Sequence, residues 1–181
     1  MVNQTIMVIK IIDWETESLE YRALRRSVFI DEQHVPEADE WDQEDATAVH
    51  FVYTPSTNAQ TTITPISCKT VAPSTTTKSI GTNLNPALPT NQSTPAVIAC
   101  ARLLRSGQIG RVAVAQGYRQ RGIGHKLMRH VINYALLHNY PTPFLHAQVH
   151  TLDFYSKLGF VVCGERFMDA GIEHQAMTLM L

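Results

Sequence analysis

A glycine-rich turn between a predicted strand and a predicted helix holds the residues best suited to chemistry. Residues 110–127 read GRVAVAQGYRQRGIGHKL, in which small branched residues typical of a strand lead through the turn into an amphipathic helical pattern. Glycines at 122 and 124 let the backbone approach a ligand, and the unpaired N–H groups of a first helical turn favour negative charge. Arg119 and Arg121 add guanidinium groups suited to phosphate oxygens. The segment predicts an anion site.

Two other phosphate-binding motifs do not fit this turn. A Walker loop that starts at Gly117 needs lysine at position 123, where isoleucine stands. A dinucleotide fingerprint that starts at Gly122 needs glycine or alanine at position 127, where leucine stands. The alternative that remains is a glycine-rich helix start that binds nothing.

The elements that must position this turn form a mixed pattern. Strand-like composition marks seven segments: 5–12, 49–53, 96–104, 109–115, 144–149, 160–163 and 176–181. Helical spacing of apolar residues marks three: 18–31, 122–139 and 152–158. The spacing predicts an α/β domain with about seven strands and three to four helices.

Composition and charge limit the function classes. The chain has 181 residues, which fits a single domain over 1–181. Lys plus Arg is 15 and Asp plus Glu is 16, so the net charge of −1 lacks the basic surplus of a nucleic-acid-binding protein. No apolar run approaches the roughly 20 residues that cross a bilayer, and no signal peptide is visible. Three widely spaced cysteines predict reduced thiols. We expect a cytoplasmic protein without nucleic-acid or membrane partners.

Two polar segments stand apart from the rest. Residues 54–95 contain 27 Ser, Thr, Pro or Asn residues out of 42, which predicts a surface insertion within the domain. The acidic stretch His34–Asp45 is expected to be irregular, either as a solvated loop or as a surface that attracts cationic acceptors. Before it, Arg22, Arg25 and Arg26 are expected to form a solvated helix face.

The glycine-rich turn resembles a known family. Arg119, Gly122 and Gly124 match the Arg/Gln-x-x-Gly-x-Gly/Ala signature of the GNAT N-acetyltransferases. Further blocks resemble the ElaA/YjcF-like branch, in the same order: 29–33 with 35–36, Glu40, Asp42, Asp45, His50, 146–148, 154–155 with 158–160, and 169–174. The resemblance implies the GNAT fold, a central, mostly antiparallel sheet of about seven strands that splays at the cofactor site.

The resemblance also implies acetyl-CoA as cosubstrate. Its pyrophosphate would lie on the backbone amides of residues 119–125, and its pantetheine arm would pair with residues 112–114 like an extra strand. The implied cofactor-binding residues are Val112, Ala113, Val114, Arg119, Gln120, Arg121, Gly122, Ile123, Gly124 and His125.

The implied reaction is direct transfer of acetyl from the thioester to an amine in a ternary complex. An amine of pKa near 10.4 is mostly protonated at neutral pH, so a general base is needed, and the departing thiolate needs an acid. Tyr155 is the candidate acid, and the backbone N–H of Val114 is the candidate donor to the oxyanion. Glu32 is the first candidate base, on the expectation that burial raises its pKa. His174 ranks second and His150 third.

Each candidate has a structural alternative. Tyr155 could serve only as a packing anchor, Glu32 as a solvated helix-end carboxylate, and the histidines as turn caps. Gln33 and Gln148 are expected to position the acceptor. No metal is expected, because His146 and His150 lack cysteine or paired carboxylates that would complete a tetrahedral set.

The rival function is a non-catalytic acyl-CoA-binding sensor, and a third possibility is an interaction scaffold organised by the insertion. The acceptor is expected to be a small-molecule amine or an exposed amino group. The sequence leaves the oligomeric state open between monomer and homodimer.

Overall fold

The fold is described from a computed structural model, which describes residues 6–56 and 97–180. The predicted insertion at 54–95 lies outside the described residues except for its first three positions. Those three belong to a strand, so the strand that we predicted to end at residue 53 continues to Ser56.

The first sheet contains four antiparallel strands in the order β1-β2-β3-β4. They are β1 (Ile6–Ile12), β2 (Val49–Ser56), β3 (Ala99–Leu103) and β4 (Ile109–Val114). Every residue of β3 is buried, as expected for a central strand with helices on both faces of its sheet. The pairing register places Phe51 opposite Ala101 and Ala99 opposite Val114.

The second sheet contains three antiparallel strands in the order β5-β7-β6. They are β5 (Phe144–Gln148), β6 (Phe160–Asp169) and β7 (Ile172–Leu179). Strands β6 and β7 are longer than the predicted segments 160–163 and 176–181. Their two-residue turn, Ala170-Gly171, has positive φ at both positions, the conformation that joins twisted antiparallel strands.

Four α-helices accompany the sheets in the described part of the chain: α1 (Leu19–Arg25), α2 (Glu37–Glu40), α3 (Ile123–Leu137) and α4 (Leu152–Ser156). Helix α1 continues as a π-helical turn over Arg26–Glu32. Single 3₁₀ turns cover Gln43–Thr47, Gln116–Tyr118 and Val149–Thr151.

The helices cover opposite faces of the first sheet. Helix α3 buries an apolar face, including Leu127, Val131 and Ala135, in the main core with Phe51 and Leu103. Helix α1 and its π-helical continuation bury a second set against the other face: Tyr21, Leu24 and Val28 pack with Ile12, Val52, Cys100 and Ala113. Neighbouring residues of a strand point to opposite faces, so each central strand contributes to both cores.

The two sheets meet at one point and then separate. Gln108 and Phe144 form a single parallel bridge, with the Phe144 N–H donating to the Gly107 carbonyl at 3.2 Å. Beyond it, β4 and β5 diverge. A register shift occurs in the β3–β4 pairing beside Arg111, whose φ is +51°, and such bulges bend a strand. The predicted α/β fold with a splayed, mostly antiparallel sheet is confirmed.

The expectation of a solvated arginine face on the first helix is wrong for Arg25. This side chain is fully buried, and carboxylates satisfy its donors. Its Nε donates to Glu40 Oε1 at 2.5 Å, and its Nη1 donates to Asp45 Oδ1 at 2.7 Å. A third donation reaches the Glu40 carbonyl at 2.7 Å. Arg26, in contrast, forms an exposed ion pair with Glu37.

The acidic stretch is therefore anchored to the fold by buried ion pairs, although its other carboxylates are exposed. Arg102 Nη1 donates to Asp42 at 2.7 Å and to Asp45 at 2.8 Å, while Arg111 Nε lies 3.0 Å from Glu40 Oε2. These contacts join the stretch to β3 and β4. The carboxylates of Glu40, Asp42 and Asp45 are already paired with arginines, so they do not offer free charge to a cationic acceptor.

Candidate functional site

The separation of β4 from β5 opens a cleft of about 740 Å³. All but one of the side chains and loop positions proposed from the sequence line it: Glu32, Gln33, Val112, Ala113, Val114, Arg119, Gln120, Gly122, Ile123, Gly124, His125, Gln148, His150, Tyr155 and His174. The exception is Arg121, which is exposed and places its guanidinium 5.4 Å from the centre of the Tyr118 ring. The fold thus gathers residues from both halves of the chain at one opening.

The turn before α3 presents a row of backbone donors to the cleft. Gln120 and Gly122 have φ of +60° and +74°, and left-handed residues in such a turn direct successive N–H groups to one side, where they bind anions. Within the described residues, the N–H groups of 120–125 donate to no protein acceptor; the next one, from Lys126, donates to the Gly122 carbonyl. Six adjacent donors at a helix N-terminus suit the oxygens of a diphosphate.

Gly124 is closely packed. A Cβ at this position would lie 3.3 Å from the Phe154 ring and 3.6 Å from a Val114 methyl. The absence of a side chain therefore lets the start of α3 contact both α4 and β4. Gly122 has open space around it and is instead required by its left-handed backbone.

Strand β4 offers a free edge beside these donors. The Ala115 N–H donates to Ile98, on the side of β3. Since backbone groups alternate along a strand, the N–H and C=O groups of Val112 and Val114 point the other way, toward β5. That edge can pair with an extended, amide-bearing ligand.

Arg119 links this edge to the end of the first helix. Its Nε donates to the Val114 carbonyl at 2.9 Å, and its Nη1 and Nη2 donate to the Glu32 carboxylate oxygens at 2.5 and 2.6 Å. The expected rise in the pKa of Glu32 is wrong, because the hydrogen bonds from Arg119 lower that pKa and the carboxylate is largely exposed. Glu32 is therefore ionised and a weak base near neutral pH.

The acceptor side of the cleft carries amide and imidazole groups. Gln148 Nε2 donates to Gln33 Oε1 at 2.8 Å, which joins the helix end to the end of β5. His174 Nδ1 lies 2.8 Å from the Ile172 carbonyl. Because a carbonyl only accepts, Nδ1 carries the proton of the neutral ring, and Nε2 keeps its lone pair. His150 is exposed at the cleft margin and forms no hydrogen bond with described residues.

Tyr155 lies on α4 at the base of the cleft. Its ring contacts Phe154 and Phe160 edge-on, with centroids 4.9 and 6.1 Å apart. Burial raises the pKa of the phenol, so the hydroxyl stays protonated at physiological pH. The arrangement can serve both the packing role and the acid role that the sequence left open.

Sequence reasoning did not assign a role to several residues that line the cleft: Phe29, Tyr118, His146, Phe154 and Asp169. His125 contacts the Phe154 ring, with centroids 4.5 Å apart. Four of them, Phe29, His146, Phe154 and Asp169, lie in the blocks that resemble the ElaA/YjcF-like branch, which is the signal that could have found them. Within the described residues, no cluster of three or more His, Cys, Asp or Glu side chains could hold a metal ion. Over the same part of the chain, no helix is both long and apolar enough to cross a membrane.

Bacterial proteins resemble this chain, in one case over nearly its whole length. The uncharacterised protein YyaT of Bacillus subtilis (strain 168) is 27% identical over 173 residues, which cover 95% of each chain. ElaA of Escherichia coli is 33% identical over 90 residues, or 45% of this chain and 58% of that protein.

Solved structures share the fold. The crystal structure of E. coli ElaA has a TM-score of 0.65 at 21% identity and covers 97% of this chain and 100% of its own. That of an acyl-CoA N-acyltransferase from Pseudomonas aeruginosa has a TM-score of 0.64 at 23% identity, with the same coverage.

The family assignment rests on the sequence itself. A family model described as an acetyltransferase (GNAT) domain matches residues 68–181, more than half of the chain. This match includes the glycine-rich turn, α4 and the second sheet, to which β5 belongs. The chain belongs to the GNAT acetyltransferase family.

Proposed function

We propose that this protein transfers an acetyl group from acetyl-CoA to an amine by direct attack in a ternary complex. The observation that carries the proposal is the row of six unpaired N–H groups at 120–125 beside the free edge of β4. Every CoA thioester carries a diphosphate and a pantetheine arm with two amides. The N–H groups fit the diphosphate, and the strand edge fits the two amides. The cosubstrate supplies the activated acyl group; the protein supplies the donors and the acid and base.

The residues divide the work by position. Backbone N–H groups of 120–125 hold the phosphates, and the edge groups of Val112 hold the pantetheine arm. The Val114 N–H donates to the thioester oxygen as negative charge develops on it. Tyr155, kept protonated by burial, donates its proton to the departing sulfur.

The amine loses its proton to the acceptor side of the cleft. We assign this step to His174, because its Nδ1 donates to the Ile172 carbonyl and its Nε2 is left with a lone pair. The lone pair of a neutral imidazole is a common general base in proteins. His150 is the second candidate. Gln33 and Gln148, already hydrogen-bonded to each other, position the acceptor.

We propose a small-molecule amine or an exposed amino group as the acceptor. A cytoplasmic location and a monomeric or homodimeric state remain predictions, which fractionation and light scattering would test.

CoA and acetyl-CoA should each raise the melting temperature in a concentration-dependent manner, because a ligand that binds only the folded state stabilises it. Gly124→Val should abolish this shift, because its Cβ would lie 3.3 Å from the Phe154 ring and its two methyl groups would hinder the close approach of a phosphate to the backbone. Gly117→Val is the matched control, because a Cβ at Gly117 meets no atom within 4 Å; its shift should equal that of the wild type.

Turnover then separates enzyme from sensor. Incubation of acetyl-CoA with a panel of mono-, di- and polyamines should release free thiol at a rate that depends on the amine. CoA binding with only background thioester hydrolysis across the panel would support the non-catalytic sensor. The absence of any melting shift at millimolar CoA would contradict both functions.

A further inference from the structure

The ion pair between Glu32 and Arg119 lies where the cofactor's phosphates are expected to bind. We propose that Glu32 is an internal competitor of the CoA phosphates for the Arg119 guanidinium, so that the wild-type residue weakens CoA binding. This inference rests on the proposed function, since CoA is the ligand it concerns. It gives Glu32 a role in ligand binding in place of the base role expected from the sequence.

The geometry of the pair is that of a phosphate contact. Arg119 Nη1 and Nη2 each donate to a different oxygen of Glu32, at 2.5 and 2.6 Å. This two-pronged arrangement is the one in which a guanidinium binds either a carboxylate or a phosphate. The carboxylate therefore uses the donors that a phosphate would use.

The guanidinium is also fixed in place. Its Nε donates to the Val114 carbonyl at 2.9 Å, so the two Nη groups face a set direction. Arg119 directly precedes the unpaired N–H groups of 120–125. A phosphate bound to those N–H groups would lie next to the guanidinium that Glu32 now neutralises, and next to the Glu32 negative charge.

The competition is weak enough for a ligand to overcome. The side chains of Arg119 and Glu32 are 36% and 40% exposed, and exposed ion pairs contribute little because water screens them. The hydrogen bonds from Arg119 lower the pKa of Glu32, so the competitor is ionised at neutral pH. No other acidic side chain pairs with Arg119 among the described residues.

The test measures CoA affinity by isothermal titration calorimetry at neutral pH and fixed ionic strength. Glu32→Gln keeps the shape of the side chain and removes its charge. We expect it to lower the Kd for CoA about two- to five-fold, the range that an exposed ion pair allows. Arg119→Gln should raise the Kd, because the phosphates lose a charged partner.

The double variant shows whether the two residues act through each other. In the Arg119→Gln background, Glu32→Gln should change the Kd by less than it does alone. The guanidinium for which the Glu32 carboxylate and the CoA phosphates compete is then absent. A carboxylate that only supports the fold would give the opposite sign, with weaker CoA binding in Glu32→Gln.

The outcomes separate this inference from the function on which it rests. If wild-type protein binds CoA and Glu32→Gln binds it equally or more weakly, the competitor role is wrong and the proposed function stands. If Glu32→Gln tightens binding by the same factor with and without Arg119, the effect is not competition for that guanidinium, which also overturns the inference. If wild-type protein binds no CoA, both fail.

Discussion

Replacement of Tyr155 by phenylalanine is expected to lower kcat by about 10²- to 10⁴-fold, the usual contribution of a general acid. The Kd for acetyl-CoA should stay nearly unchanged, because the hydroxyl is needed only when the sulfur departs. The ring contacts with Phe154 and Phe160 do not involve the hydroxyl, so the fold should be retained. Steady-state kinetics with the best amine of the panel and a titration of acetyl-CoA measure the two quantities.

Tyr134→Phe is the matched control for this prediction. Tyr134 lies on α3 and packs with Phe51, His138 and Tyr140, and it does not line the cleft. Removal of its hydroxyl should leave kcat within about twofold of the wild-type value. A loss below about threefold in Tyr155→Phe would make Tyr155 a packing anchor and assign the proton to another donor.

Removal of one carboxylate from the buried ion network should cost much more stability than removal of a surface carboxylate. Glu40→Gln is expected to lower the free energy of unfolding by about 3–5 kcal/mol. The fully buried Arg25 guanidinium would then keep only one of its two carboxylate partners. The same change removes the Glu40 partner of Arg111 at the β4 bulge. Urea unfolding followed by circular dichroism measures the change.

Glu37→Gln is the control for Glu40→Gln. Glu37 lies three residues before Glu40, and its carboxylate forms an exposed ion pair with Arg26. Its cost should lie between about 0 and 1 kcal/mol. Equal effects of the two variants would show that the buried network contributes no more than a surface pair. Loss of CoA binding in Glu40→Gln protein that is still folded would show that the network also positions the cleft wall.

Sequence reasoning succeeded where the signal is local. The glycine-rich turn, its preceding strand and α3 lie in one continuous segment, so their periodicity and motif were readable directly. The C-terminal end of β6 was not, because its exposed residues, which include Glu165 and Arg166, interrupt the apolar alternation on which strand prediction depends.

The electrostatics of the cleft depend on partners distant in sequence. Arg119 is 87 positions from Glu32, and Gln148 is 115 positions from Gln33. The sequence placed Glu32 and Gln33 near the acceptor cleft through family resemblance but gave no sign of their partners. For this reason the direction of the Glu32 pKa shift was predicted wrongly, and the buried Arg25 was taken for a solvated residue.

In the proposed function, backbone N–H groups at the start of α3 hold the phosphates of CoA. Hydrogen–deuterium exchange with and without saturating CoA reports on these amides. We expect slower exchange at 120–125 and at Val112 and Val114, and no change in peptides from the far end of α3. CoA binding that leaves exchange at 120–125 unchanged would show that the phosphates bind elsewhere.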